Sequence, residues 1–282
     1  MELKFYKWSG AGNLFLIADG REAPQEGARN LPACPVQTVQ ESSLCPETIT
    51  RLCRQHGTDG LIVLKGSRSC DFGMQFFNPD GSSGMMCGNG GRCIAAFANV
   101  CGVEPSREDG WYGFEGPDGV HCALVGGREG DTFRVRLGMK PVCGESVRFL
   151  EGSLFLDTGA RHLVVPVADV DAVDVASEGA RLRSMGQFAP QGVNVDFVEW
   201  GKPIRIRTFE KGVEAETLAC GTGITASALA ASLLSVEPAS KDSEGRTYYN
   251  ISARGGDLEV DFLRDSTGFY DIFLTGPAEI IR

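Results

Sequence analysis

Residues 87–98 read CGNGGRCIAAFA and residues 220–231 read CGTGITASALAA, so the chain carries one device twice, 133 residues apart. Each copy is Cys-Gly-x-Gly followed by an alanine-rich run that favours a helix. A repeat at about half the chain length implies two related domains rather than one continuous fold. The length agrees, because 282 residues exceed what one compact domain usually holds. Around the two motifs, short alternating or apolar runs predict strands at Leu3–Lys7, Leu14–Ala18, Leu61–Leu64, Met74–Phe77, Phe133–Leu137, Leu154–Asp157, Leu163–Val167, Val193–Val198, Ile204–Thr208, Leu258–Phe262 and Tyr270–Leu274. Helical patterns are fewer: Glu47–Gln55, Gly90–Val100, Asp169–Gly179, Arg181–Met185 and Gly223–Ser235. Strands outnumber helices and do not alternate with them as βαβ units, which predicts the α+β class. Segments 22–46 and 237–248 are polar, aperiodic and rich in Pro, Ser and Glu, and are expected to be loops. The GGREGD stretch at 126–131 is the expected boundary. It gives an N-terminal domain at 1–128 bearing Cys87 and a C-terminal domain at 129–268 bearing Cys220, with strand 269–282 returning to the first.

Cys-Gly-x-Gly at a helix start has a definite physical use. Glycine lets the chain turn tightly and lets a ligand approach the backbone. The first helical turn has N–H groups without intrahelical acceptors, beside the positive end of the helix dipole. Such a terminus binds carboxylate, and its field favours the thiolate form of a cysteine placed there. Two such termini converging on one carboxylate would leave a sulfur on each face of the attached α-carbon. One thiolate removes the α-proton, the opposite thiol supplies one, and the centre inverts. The N–H groups stabilise charge that develops on the carboxylate as an enediolate forms. Two thiols in one site titrate as a coupled pair, one ionised and one neutral. Read singly, a cysteine at a helix start is more often inert packing; the pairing singles out Cys87 and Cys220.

Composition removes several other classes. A formal charge of −10 leaves little with which to neutralise phosphates, so nucleic acid is not an expected partner. There is no polybasic run for an anionic membrane and no apolar stretch approaching a membrane span, and the N-terminal MELKFYKWSG lacks the apolar core of a signal peptide. The expected location is cytoplasmic. In that setting the ten cysteines are expected as thiols, not as a disulfide framework. No C-x-x-C occurs, and the Cys87–Cys93 spacing matches no common zinc site, so no metal is expected. Nothing matches a phosphate-binding G-x-x-x-x-G-K-[ST] loop or a dinucleotide fingerprint, and the two-thiol scheme needs no cofactor.

From end to end the chain resembles the diaminopimelate epimerase family. The resemblance is carried by WSGAGNLF at Trp8–Phe15, FNPDGSSGMMCGNGGRC at Phe77–Cys93, TGARHLVV at Thr158–Val165, GVNVDFVE at Gly192–Glu199, RTFEKGVEAETLACGTG at Arg207–Gly223, and the segments Gly255–Val260 and LTGPAE at Leu274–Glu279. It implies two pseudo-symmetric α+β domains, each a mostly antiparallel or mixed sheet wrapped around a central helix, with the active site in the cleft. It implies that Cys87 and Cys220 are the acid–base pair, with His162 and Glu210 close to the thiols. Gly88, Asn89, Gly221 and Thr222 would hold the reacting carboxylate, and Asn13, Asn78 and Asn194 would contact the substrate. The implied reaction is interconversion of L,L- and meso-diaminopimelate, in lysine and cell-wall precursor synthesis. The implied partner is a small amino-acid substrate, with a homodimer left open.

The chain departs from the family pattern at Leu14, Gly60, Ala160, Arg161 and Lys211, and by one extra residue between Glu210 and Cys220. Lys211 stands where an arginine is usual and cannot make its planar two-point clamp on a distal carboxylate. These changes bear on substrate reading and not on the thiols. Two-thiol racemisation of another amino acid, and an amino-acid-binding protein without turnover, are the alternatives.

Overall fold

Two consecutive residues with positive φ, Ala11 (50°) and Gly12 (88°), fold the first strand back on the second. A two-residue loop of this kind matches the right-handed twist of the strands it joins. The computed structural model describes residues 1–22, 31 and 35–282, which divide into two compact units: Met1–Leu137 with Gly276–Arg282, and Gly138–Thr275.

In the first unit, β1 (Glu2–Gly10) pairs antiparallel with β2 (Asn13–Asp19), and the short β3 (Gln37–Gln40) pairs with the start of β1. Helix α1 (Pro46–His56) crosses to β4 (Gly60–Lys65), parallel to β2. It begins on Pro46 and stops at Gly57, whose φ of 59° only glycine adopts freely. Antiparallel β5 (Phe72–Phe77) leads into α2 (Gly88–Val100), and β6 (Tyr112–Gly116) returns parallel to β5. The meander β7 (Gly119–Glu129) and β8 (Thr132–Gly138) follows. The C-terminal strand then pairs with β8 through Gly276–Glu279 and with β1 through Glu279–Ile281, so the sheet closes on itself.

Alternation along the strands explains their continuous apolar runs. Leu3, Phe5, Leu16, Ala18, Leu61 and Val63 pack on Ile49, Leu52 and Cys53 of α1. The intervening residues face α2: Tyr6 and Trp8 meet Phe97 at 6.2 and 5.9 Å between ring centroids, and Phe15 and Ile62 lie against Gly90. Strands covered on both faces lose the polar half of the period-two pattern. Asn89 through Ala98 of α2 are all buried, as expected of a helix surrounded on every side.

The second unit comprises β9 (Val142–Cys143), β10 (Arg148–Leu150), β11 (Ser153–Asp157), β12 (Arg161–Pro166), α3 (Val175–Arg183), β13 (Asn194–Glu199), β14 (Ile204–Glu210), β15 (Ala215–Thr217), α4 (Gly221–Leu233), β16 (Ser240–Lys241), β17 (Thr247–Ala253), β18 (Gly256–Arg264) and β19 (Gly268–Ile281), the last running on into the first unit. Its pairing repeats the first unit step by step. β11–β12 is antiparallel, β12–β13 parallel across α3, β13–β14 antiparallel, β14–β17 parallel across α4, and β17–β18 and β18–β19 antiparallel. Phe155, Leu163, Val195 and Phe197 pack on the α3 side, while α4 is buried from Gly223 to Ala231. The α+β class and the sheet wrapped around a central helix are thus present in both units.

Each predicted strand overlaps an observed one, with Val167 and Val193 falling one residue outside β12 and β13, and several observed strands were not anticipated. β6 is only five residues long with two glycines, the glycine-rich β7 lacks a hydrophobic alternation, and β17 mixes aromatic and polar residues. The expected loop at 237–248 contains β16 and the start of β17. Of the expected loop at 22–46, residues 23–30 and 32–34 lie outside the described residues; the remainder includes β3 and a 3-10 turn at Glu41–Ser43. The two helices predicted at Asp169–Gly179 and Arg181–Met185 are one, Val175–Arg183. Asp174 sets its start by accepting the Ser177 N–H at 3.2 Å, which a helix begun at Asp169 would forbid. The Gly126–Asp131 stretch lies in the β7–β8 hairpin of the first unit, and the units divide between Leu137 and Gly138. No helix among the described residues is long and apolar enough to cross a membrane.

Candidate active site

Both motif cysteines are helix N-caps with nearly the same backbone. Cys87 has φ −109° and ψ 125°, and its carbonyl accepts the Gly91 N–H at 2.7 Å. Cys220 has φ −106° and ψ 110°, and its carbonyl accepts the Ile224 N–H at 2.9 Å. Gly88 and Asn89, and Gly221 and Thr222, therefore occupy the first turns, where helix N–H groups look outward. Each cysteine caps a 13-residue helix at the centre of its own sheet.

In the first unit, Asn13 opens β2 and hydrogen-bonds the Asn89 amide through its side-chain oxygen. Its own amide donates to Asp59 Oδ2 at 3.2 Å, and the same oxygen takes the Leu14 N–H at 2.8 Å. The Asn89 oxygen accepts from Arg92 at 2.9 Å. Asp59, Asn13, Asn89 and Arg92 thus form a line ending at the α2 terminus. Gly10 lets β1 pass close beneath it, because a Cβ there would stand 2.6 Å from the Asn89 carbonyl oxygen and 3.0 Å from Cys93 Sγ. Gly60 is fixed by space rather than by a ligand, since a Cβ would meet the Phe76 ring at 2.5 Å. Asn78 is held in the turn that leads toward Cys87, its amide donating to Ser82 Oγ at 3.0 Å.

The second unit carries a denser polar cluster. His162 on β12 is wholly buried, with Nδ1 2.7 Å from Asp196 Oδ2 on β13 and Nε2 2.9 Å from Thr222 Oγ1. Thr222 Oγ1 is in turn 3.4 Å from Cys220 Sγ. The Asn194 amide lies 3.3 Å from His162 Nε2, and its oxygen takes the main-chain N–H of Lys211 at 2.9 Å. Thr208 donates to the other Asp196 oxygen at 2.8 Å, and Thr158 to the Thr222 carbonyl at 2.9 Å. Burial by itself would lower the His162 pKa, but the Asp196 carboxylate and then Cys220 outweigh it and push the imidazole up to about 10. At neutral pH the ring is an imidazolium: Nδ1–H donates to Asp196, Nε2–H to Thr222, and the Thr222 hydroxyl is free to donate to sulfur. Glu210 ends β14 and accepts from Thr217 Oγ1 at 3.0 Å.

The structure therefore gathers Cys220, Thr222, His162, Asn194 and the Lys211 backbone in one unit, and Cys87, Asn89 and Asn13 in the other. Asp196 and Arg92 belong to these clusters although sequence reasoning did not select them. Asp196 had a signal, being a charged residue inside the apolar run Val193–Val198, two positions from Asn194 and hence on the same face. Arg92 had one too, a cation in an otherwise small and apolar helix. Among the described residues no group of three or more His, Cys, Asp or Glu side chains is placed to hold a metal ion.

Two units with the same strand-pairing order, each a sheet around a cysteine-capped central helix, define a fold class. Solved structures of that class include a phenazine biosynthesis protein of the PhzF family from Bacillus anthracis (TM-score 0.66, 14% identity, covering 100% of this chain and 97% of that one) and a hydroxyproline epimerase from Agrobacterium vitis with bound trans-4-hydroxy-L-proline (TM-score 0.60, 14% identity, 100% and 91%). The family model for diaminopimelate epimerase matches residues 5–107 and 154–281. The diaminopimelate epimerase of Flavobacterium psychrophilum is 37% identical over 99% of this chain and 98% of its own length; that of Aquifex aeolicus is 35% identical over 97% and 94%. The chain belongs to the diaminopimelate epimerase family, a family of isomerases.

Proposed function

We propose that the protein interconverts L,L- and meso-diaminopimelate by a two-thiol mechanism, with Cys87 and Cys220 as the acid–base pair. One thiolate takes the α-proton and becomes a thiol. The other thiol gives a proton to the opposite face of the resulting carbanion and becomes a thiolate. The reverse reaction exchanges the roles. The observation that carries this reading is the duplicated helix cap: two cysteines, each at the N-terminus of a buried helix, in units with the same pairing order. The first-turn N–H groups of Gly88, Asn89, Gly221 and Thr222 would bind the α-carboxylate, spreading the charge that forms as the proton leaves. His162, cationic beside Thr222, is linked to Cys220 through the Thr222 hydroxyl, and Glu210 lies at the end of β14.

Asn13, Asn78, Asn194 and Lys211 are the candidate contacts for the rest of the substrate. Lys211 serves Asn194 through its main-chain N–H, and its ammonium, near Glu214, is the candidate partner of a distal carboxylate. The scheme calls on no cofactor, and reduced thiols suit a cytoplasmic enzyme of lysine and peptidoglycan precursor synthesis.

The test is incubation of the reduced protein with L,L-diaminopimelate in D₂O, followed by NMR, with Cys87→Ala and Cys220→Ala in parallel. Loss of the α-proton signal and appearance of the meso isomer, abolished in both variants, is the expected result. Exchange with a different amino acid alone would keep the mechanism and discard the substrate.

A further inference from the structure

Cys87 and Cys220 cap helices of equal length and similar geometry, yet the charges buried beside them differ in kind. Five residues on from Cys220 stands Thr225, whose hydroxyl bonds the Gly221 carbonyl at 2.9 Å. The cation near that thiol is His162, and Asp196 balances its charge. Five residues on from Cys87 stands Arg92, fully buried. Its guanidinium donates to the Pro277 carbonyl at 3.3 Å, the Gly88 carbonyl at 3.4 Å and the Asn89 side-chain oxygen at 2.9 Å. All three acceptors are neutral.

No carboxylate pairs with Arg92 among the described residues; its hydrogen bond to the Gly88 carbonyl sets it against the first turn of α2, whose cap is Cys87, and Cys93 follows it in the helix. From β2 it is approached by way of neutral Asn13, with Asp59 beyond, and from the C-terminal strand by a carbonyl. Burial pushes Cys93 up to about 12, so that sulfur stays protonated. Cys87 is only half-buried and sits at the positive end of α2. A guanidinium sealed in a sheet without a counter-anion is destabilising relative to an apolar residue of the same volume, so packing does not account for it. An anion at Cys87 does.

We infer that Arg92 is a positioning residue whose buried charge holds Cys87 as the resting thiolate. This deepens the two-thiol reading and rests on it for its catalytic meaning, because Cys87 would then be the base that first meets substrate. The ionisation itself can be measured without substrate.

The experiment is the pH dependence of Cys87 alkylation by iodoacetamide in the intact, reduced protein, read by peptide mass spectrometry. The wild-type midpoint is expected clearly below the ~8.5 of an ordinary thiol. In Arg92→Gln and Arg92→Met the midpoint is expected to rise by about one pH unit, slowing labelling at pH 7 about tenfold, whereas Arg92→Lys keeps most of the low midpoint. Circular dichroism and the urea midpoint establish that the variants are folded. A wild-type midpoint at or above ~8.5 overturns the inference whatever the variants do. So does an unmoved midpoint in either folded neutral variant. A shifted midpoint in a protein that exchanges no α-proton would leave Arg92's role standing and remove the epimerase reading.

Discussion

His162 Nδ1 lies 2.7 Å from Asp196 Oδ2, and neither side chain has any exposed surface. The pair joins β12 to β13 directly beneath the start of α4. An imidazole buried this deeply would ordinarily be neutral, and here the adjacent carboxylate makes it a cation.

That relationship gives a stability signature with a definite sign. The folded pKa of His162, about 10, lies above the 6.5 of an unperturbed imidazole. Its contribution is therefore complete below about pH 6.5 and is lost as pH rises toward 10. Asp196→Asn is expected to lower unfolding free energy by about 3 kcal/mol at pH 7, and by less as pH approaches 10. Urea denaturation of both proteins at pH 6, 8 and 10 checks this. Buried thiols also weaken both proteins at high pH, so the difference between the two curves is the quantity that reports on His162. A difference that does not shrink with pH would contradict the assignment.

Thr222 stands between the imidazolium and Cys220, 2.9 Å from one and 3.4 Å from the other. Thr222→Val keeps the shape and the backbone N–H but removes the hydroxyl that links them. Turnover of diaminopimelate is expected to fall about 10- to 100-fold, with Thr222→Ser largely retaining it. Equal losses in both would place the role in packing.

Gly223 is where α4 rests on this cluster. A Cβ there would stand 2.4 Å from Asp196 Oδ1 and 3.1 Å from His162 Cε1, and neither buried group can move away cheaply. Gly223→Ala is expected to cost about 1–3 kcal/mol in urea denaturation despite the better helix propensity of alanine. A stabilised variant would mean that the contact is looser than described.

The cysteines differ sharply in environment, so native alkylation should sort them. Burial raises the pKa of Cys93 and Cys101, and both are inaccessible, whereas Cys45 and Cys143 are exposed. Brief iodoacetamide treatment of the folded protein at pH 8, followed by peptide mapping, is expected to label Cys45 and Cys143 and to spare Cys93 and Cys101. Labelling of Cys93 at a rate comparable to Cys143 would show that α2 is not enclosed as described.

The sequence by itself determined a good deal of this protein. Two Cys-Gly-x-Gly motifs opening alanine-rich runs announced a duplicated unit, and apolar runs such as Leu61–Leu64 announced strands. Those signals are local, since a helix cap and a period-two pattern are written in consecutive residues. The tertiary structure decided what they could not express. Asp196 reads as a polar interruption in a strand until β12 brings His162 to it, and Arg92 reads as one helix residue until closure of the sheet surrounds it with neutral oxygens. Nothing near either residue in the chain states its burial, because burial and the charge it leaves uncompensated arise only when distant strands meet around a helix.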